Sequence, residues 1–370
     1  MEQHRAGKNL DSLTALRGLA ALMVVHHHAA KLWVVPGGIK ALSDLGYLGV
    51  PFFFCLSGFV LQWSYGGMPV HAGSFLWRRI ARIYPLMLLC TLASYGAYRL
   101  LGYPLAGVIG GRYSLLTSAL LIQSWWSTPS IRGAWDSVSW SLSCEFFLYA
   151  LSPFTIPAIA RMKTETAVKI LVVILPAILT LGISGFAGRH PYLFLLSPLG
   201  RLPGYLCGAL TARILIPVSR QLSNWSPVLI FFIGIVLPLW VAAGPLGSVS
   251  IAVFEALVVP GFLLLIAVAA ARDLSGGVRH WLCGDVLQFL GRISFSLYLV
   301  HPFVIGAAIT LLWLSDREIA APWFGEVFTF VCIGVTIGIS ACTYYWIEKP
   351  AQRFLLKTRF IDRQALVTAE

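Results

Sequence analysis

Arg17 and His28 stand eleven residues apart in an apolar stretch, and eleven helical steps of about 100° return to within about 20° of the starting direction. Their side chains therefore share one helix face, roughly 16 Å apart along the axis. So placed, an arginine that holds an anion and an imidazole that accepts a proton can act on two ends of one extended ligand. His26 and His27 point elsewhere on the same helix, so the spacing favours His28 as the working base. The bland alternative is an Arg17 that snorkels to headgroups beside interfacial histidines. In Arg78-Arg79-Ile80-Ala81-Arg82, Arg79 and Arg82 fall at i, i+3 on one face, and their planar forks suit bidentate phosphate binding. As an ordinary basic anchor for the apolar run that follows, the same cluster needs no ligand. Ser141, Glu145 and Tyr149 make a stripe of hydroxyl, carboxylate and phenol at i, i+4, i+8. Such a carboxylate can orient an imidazole or bind hydroxyls; its structural alternative is a satisfied buried acid. The segment from Ser294 through Ser296 and Tyr298 to His301-Pro302 is dense in hydroxyls and ends on a proline kink, which fits either a wet cavity or a structural network.

The elements that must position these groups are membrane helices. Of the 370 residues, 58% are hydrophobic and 11% charged, where a soluble domain carries about a quarter charged residues. A span needs about 20 mostly apolar residues. Apolar runs fall at about 12–33, 46–65, 84–101, 140–160, 168–187, 192–212, 226–243, 248–271, 286–313 and 322–346, with a shorter one at 114–126 expected as a re-entrant or interfacial helix. The expected fold is thus an all-α integral membrane bundle of about ten transmembrane helices. A single domain over 1–370 is expected, with the bundle at about 10–347, a short cytoplasmic tail at 348–370 and no appended extracytoplasmic domain. Basic residues gather on alternate connections, as at Arg78, Arg79, Arg82, Arg161, Lys163, Arg272, Lys349 and Arg353. By the positive-inside rule both termini are then cytoplasmic and the long connection at about 102–139 lies outside. A charge near the centre of a span costs on the order of 2.5–3.5 kcal/mol, so Arg17, Glu145, Arg201, Glu255 and Arg292 are each functional candidates by default.

The net charge of +12 is scattered at the ends of apolar runs rather than massed in a block, which argues against nucleic acid as a partner. The seven cysteines lie mostly inside apolar runs with no paired spacing, and read as small buried hydrophobes. The histidines of the first span are consecutive rather than at i, i+4, so no metal site is expected. The first apolar run, carrying Arg17 and three histidines, does not read as a cleavable signal peptide.

Taken together and in order, five segments resemble the acyltransferase family 3 membrane proteins. They are Leu10-Asp11-Ser12-Leu13-Thr14-Ala15-Leu16-Arg17 with His28, the block Gly49-Val50-Pro51-Phe52-Phe53-Phe54-Cys55-Leu56-Ser57-Gly58-Phe59, Arg79-x-x-Arg82, Trp140-Ser141-Leu142-x-x-Glu145, and Ser294-x-Ser296-x-Tyr298-x-x-His301. The resemblance spans nearly the whole chain. It implies transfer of an acyl group, often acetyl, from cytosolic acyl-coenzyme A to a hydroxyl on a carbohydrate or glycolipid acceptor, in the bacterial inner membrane. It also implies functional roles for Arg17 and His28 and for the pair Arg79 and Arg82.

Arg17, Arg79 and Arg82 are accordingly expected to bind the coenzyme A phosphates, and His28, Arg17 and Glu145 to form the catalytic set. Ser57, Trp140, Ser141, Tyr149, Ser294, Tyr298 and His301 are expected to contact the substrates. Acyl-coenzyme A enters as a co-substrate, with no permanently bound cofactor, and separate polysaccharide-assembly proteins are expected as partners beside the lipid bilayer. The rival reading is a transporter or flippase for a lipid-linked sugar, which also needs polar residues in a wet intramembrane cavity but has no need of acyl-coenzyme A.

Overall fold

The computed structural model describes residues 10–31, 43–183, 190, 192–236, 251–275, 281–314 and 322–358. Its long helices are α1 (Asp11–Ala30), α2 (Gly49–Tyr65), α3 (Ala72–Leu101), α4 (Trp140–Arg161), α5 (Thr164–Ile183), α6 (Pro198–Leu222), α7 (Ile251–Ser275), α8 (Asp285–Leu314), α9 (Pro322–Thr343) and α10 (Lys349–Thr358). Among the described residues, seven helices are long and apolar enough to cross a membrane. The chain is a multi-pass membrane protein. Helix α1 falls outside that set, having Arg17 and the three histidines inside it, and so does α6, which carries Arg201 and Arg213.

The helix ends differ in places from the apolar runs. Helix α3 begins at Ala72, so the arginine cluster lies on the helix itself and Pro85 is inside it. Helix α6 begins only at Pro198, where Ser197 caps the first turn by accepting from the Gly200 amide at 3.1 Å. The run at 114–126 is two short pieces, Ser114–Ala119 and Gln123–Trp125, rather than one re-entrant helix. Of the run at 226–243, Pro227–Val236 is helical and the rest lies outside the described residues. At the other end, α9 passes through a π turn at Tyr344–Glu348 into α10, so 349–358, expected as tail, is helix. Trp77 Nε1 of α3 donates to the Leu355 carbonyl at 3.0 Å and ties that helix down.

Helices in lipid gain little from mutual burial and associate through close backbone packing at small residues. Two such crossings organise the bundle. On α2 and α6, a Cβ added at Gly58 would lie 2.8 Å from the Tyr205 carbonyl carbon, and one at Gly208 would lie 2.8 Å from that of Cys55. On α1 and α8, a Cβ at Gly18 would lie 2.7 Å from the Gly291 nitrogen. Neither crossing leaves room for a side chain. Gly208→Leu is expected to destabilise the protein by about 1–3 kcal/mol or more through overpacking. Gly204→Ala, whose Cβ meets nothing nearer than Cys55 Sγ at 3.6 Å, is expected to fold normally. Thermal unfolding of the two variants in detergent distinguishes these outcomes; equal midpoints would refute the close crossing.

All seven cysteines are free, and Cys342 alone is exposed. Among the described residues no strand forms; the long connection before α4 makes only isolated bridges, Ala106 to Asp136 and Val108 to Ala134.

Candidate active site

Because α1 lies backbone to backbone on α8 and α2 lies likewise on α6, their side chains are forced outward around a shared interior space. A cavity of about 310 Å³ results. Its walls bring together Arg17 from α1, Ser57 from α2, Arg79 and Arg82 from α3, Ser141, Glu145 and Tyr149 from α4, and Ser294 and Tyr298 from α8. Nine of the residues singled out in the sequence thus line one space, although they span 282 positions of chain (17 to 298).

Arginines from two helices face it. Arg17 Nη2 donates to the Gly291 carbonyl at 2.8 Å, a contact that the Gly18 and Gly291 crossing makes reachable. Arg79 is boxed by aromatic rings, its guanidinium carbon 5.3 Å from Phe75, 5.6 Å from Tyr149 and 5.7 Å from Tyr65, and its Nη2 donates to Tyr65 Oη at 2.9 Å. The Nε groups of Arg17 and Arg79 are buried without a partner, and Arg82 has no hydrogen bond among the described residues. Three guanidinium groups thus face one cavity, and planar forks of this kind suit anions.

Beside Arg79, the Tyr149 hydroxyl donates to Glu145 Oε1. Ser141 Oγ stands 2.8 Å from Tyr298 Oη, which also reaches the Val138 carbonyl at 3.2 Å. Ser294 Oγ donates to the Gly291 carbonyl at 2.9 Å. Ser296 instead donates to Glu348 Oε2 at 2.6 Å, so the hydroxyl-rich segment of α8 serves both the cavity and a buried network. Glu348 is a residue that the pattern reading left out of the site. It is 5% exposed and within electrostatic reach of Arg82 and Arg17. Its only sequence signal was a carboxylate placed at the end of the last apolar run.

His28 and His301 do not line the cavity. They stand behind its Tyr298 wall as a pair, rings stacked at 5.0 Å, with His301 Nε2 3.1 Å from His28 Nδ1. The Tyr298 ring meets His301 edge-on at 5.9 Å and so connects the cavity to the pair. His28 Nδ1 also lies 3.0 Å from the Val24 carbonyl. A carbonyl only accepts, so Nδ1 carries the proton and Nε2 keeps its lone pair. The neighbouring histidines have other surroundings: His27 Nδ1 is 2.8 Å from the Ser43 carbonyl, and the His26 ring packs 6.4 Å from Phe330. Trp140, expected with the substrate-contacting residues, is turned away from the cavity and lies 5.6 Å under the Arg201 guanidinium. Glu145 accompanies Tyr149 and Arg79, and the group against His28 is His301.

The chain matches the acyltransferase domain of the Acyl_transf_3 family over residues 10–345. It belongs to that family. It is 31% identical over 384 residues to the acyltransferase MdmB of Streptomyces mycarofaciens, a match covering 95% of this chain and 93% of the relative. It is 22% identical over 386 residues to a Staphylococcus aureus protein provisionally named an O-acetyltransferase, covering 95% of this chain and 58% of that longer protein. No solved structure matches. The protein is an O-acyltransferase of the membrane.

The acyltransferase packs the connection before α4 beside this region, where the Val138 carbonyl meets Tyr298. Trp135 adopts a left-handed φ of 63°, donates from Nε1 to Ser114 Oγ at 3.0 Å and packs against Tyr95 at 5.0 Å. A non-glycine residue held at such φ stores strain that its surroundings must support. Next to it, Asp136 is fully buried. Its Oδ1 accepts from the Val138 amide at 3.3 Å, and its Oδ2 has no partner. Burial pushes the Asp136 carboxyl from its ordinary 3.8 up to about 8. The folded acyltransferase therefore binds a proton there that the unfolded chain releases. Its stability is expected to fall as pH rises from about 4 to about 8. Asp136→Asn should flatten that part of a thermal-stability profile; an unchanged slope would refute the assignment.

Proposed function

We propose that this acyltransferase moves an acyl group, typically acetyl, from acyl-coenzyme A to a hydroxyl of a carbohydrate or glycolipid in the bacterial inner membrane. The observation that carries the reading is the convergence of Arg17, Arg79 and Arg82, with unused donors, on one cavity that ends at the Tyr298 wall of the His28–His301 pair. With both termini in the cytosol, the arginines face the compartment that supplies acyl-coenzyme A. Phosphates held there leave the pantetheine arm to run along α1 toward His28, about 16 Å from Arg17 along the helix.

His28 Nε2 takes the proton of the acceptor hydroxyl as its oxygen attacks the thioester carbonyl carbon. Collapse of the tetrahedral adduct breaks the C–S bond, and the imidazolium returns the proton to the departing thiolate, giving an ester and coenzyme A. The Val24 carbonyl holds the imidazole in the tautomer this needs, with His301 against the same Nδ1. Glu145 and Ser141 offer an acceptor and a donor to substrate hydroxyls along the cavity. The staphylococcal relative's name supports an acetyl group. Nothing in this scheme requires an acyl-enzyme intermediate, and polysaccharide-assembly proteins would present the acceptor.

The test is transfer of radiolabelled acetyl from acetyl-coenzyme A to envelope glycans in membranes with and without the protein. Protein-dependent label is expected. Its absence with every acyl-coenzyme A chain length tried would overturn acyl-coenzyme A as the donor.

A further inference from the structure

A second cavity, of about 340 Å³, lies against the first, and Phe54 belongs to the walls of both. It is built from the first turns of α2, α6 and α7 and the last turns of α5, whereas the arginine cavity runs along α2 from Val50 to Ser64 and past Arg79 and Arg82 of α3. The two therefore lie side by side along the first turns of α2, where Val50 and Phe53 face the arginine cavity, Pro51 and Cys55 face the second, and Phe54 stands between them.

The second cavity is apolar except for one ion pair. Arg201 Nη1 is 2.8 Å from Glu255 Oε2, with the side chains 6% and 13% exposed. Arg201 also donates to the Leu195 carbonyl and lies 5.6 Å over the Phe54 and Trp140 rings, while its Nε is buried without a partner. Replacing a buried ion pair by apolar residues is often neutral or stabilising, so stability alone does not account for it. A cleft for a lipid tail gains nothing from desolvated charges. The paired charges cancel, so a charged ligand is repelled by one partner as it is drawn by the other. A neutral hydroxyl can donate to Glu255 and accept from Arg201 at once.

Packed rings connect the cavity wall to the imidazoles. Tyr47 packs 6.2 Å from Phe254, the neighbour of Glu255, and 6.1 Å from His27, whose ring is 5.3 Å from His28. On the other side of the same wall Phe53 meets Tyr298 edge-on at 6.1 Å.

We propose that the second cavity binds the acceptor: a neutral amphiphile whose apolar body lies against the apolar walls and whose sugar-type hydroxyls meet Arg201 and Glu255. This rests on the acyl-transfer reading. The acceptor hydroxyl then reaches the thioester past Phe54 while the donor occupies the arginine cavity.

The probe is dodecyl glucoside carrying a mid-chain diazirine, photolysed with the full chain in lipid nanodiscs and mapped by peptide mass spectrometry. Label is expected on peptides holding Cys55, Gly204 and Ala256, competed by excess dodecyl glucoside and not by dodecane. Gly204→Leu, whose Cβ faces Cys55 Sγ at 3.6 Å, fills the cavity and should cut labelling about tenfold. Ala256→Leu fills it from the opposite wall and carries the test should Gly204→Leu fail to fold. Label spread along lipid-facing helices, equal competition by dodecane, or labelling unchanged in the folded variants overturns the proposal. Acetyl-coenzyme A binding on the same nanodiscs reads the donor separately. Retained donor binding with no glucoside labelling refutes the acceptor cavity alone, and no donor binding in the native protein refutes the acyl-transfer reading instead.

Discussion

His28→Ala is expected to lower acetyl transfer about 10²–10⁴-fold, the usual contribution of a positioned general base. Binding of acetyl-coenzyme A should be nearly unaffected, because His28 lies behind the Tyr298 wall and does not line the arginine cavity. The loss should appear in kcat rather than KM. His301→Ala removes the group against His28 Nδ1 without removing the base, so a smaller loss is expected. His27→Ala deletes a buried contact to the Ser43 carbonyl and should cost stability before chemistry. The set is read by initial rates with radiolabelled acetyl-coenzyme A in membranes of matched protein content. Full transfer by His28→Ala, or its loss on His26→Ala, would move the base elsewhere.

Arg82→Ala is expected to raise the KM for acetyl-coenzyme A about 10- to 100-fold with a smaller change in kcat. Hydrogen bonds to a charged group contribute about 1.5–3 kcal/mol each. Arg82→Lys should recover only part of the loss, since a point charge does not reproduce the bidentate fork. Arg79 sits in its box of Tyr65, Phe75 and Tyr149, so Arg79→Ala should lower thermal stability as well as donor affinity. Equilibrium binding of labelled coenzyme A separates the two effects. If the Arg79→Ala, Arg82→Ala double variant bound coenzyme A as the native protein does, the phosphate role would be lost.

Much of this site was legible from helical periodicity. The stripe of Ser141, Glu145 and Tyr149 and the pair Arg79 and Arg82 share faces because i, i+3 and i+4 neighbours must, and the cavity walls contain all five. Residues whose partners lie far along the chain were not legible. Ser296 meets Glu348 across 52 positions, Arg201 meets Glu255 across 54, and His28 meets His301 across 273. No local spacing encodes such pairs. Asp136 was missed because its burial comes from the connection folding over it, in a segment with no apolar period. That Trp140 lies outside the arginine cavity was not legible either, because its position in the segment says nothing of whether the ring faces that cavity or Arg201.

By itself the sequence determined that the chain is an assembly of membrane helices and which side chains share a helix face. Backbone groups in lipid must bond within their own segment, so the helices follow from local composition. Tertiary structure alone decided which helices cross at Gly18 and Gly291 or at Gly58 and Gly208, and hence which faces enclose the cavity. It also decided that His28 finds its partner on α8 and that Arg201 and Glu255 neutralise one another. The physical reason is that lipid and apolar side chains are nearly equivalent neighbours, so hydrophobicity does not choose helix partners. Close backbone contact at a few glycines and the pairing of a few buried polar groups make that choice, and both depend on residues distant in the chain.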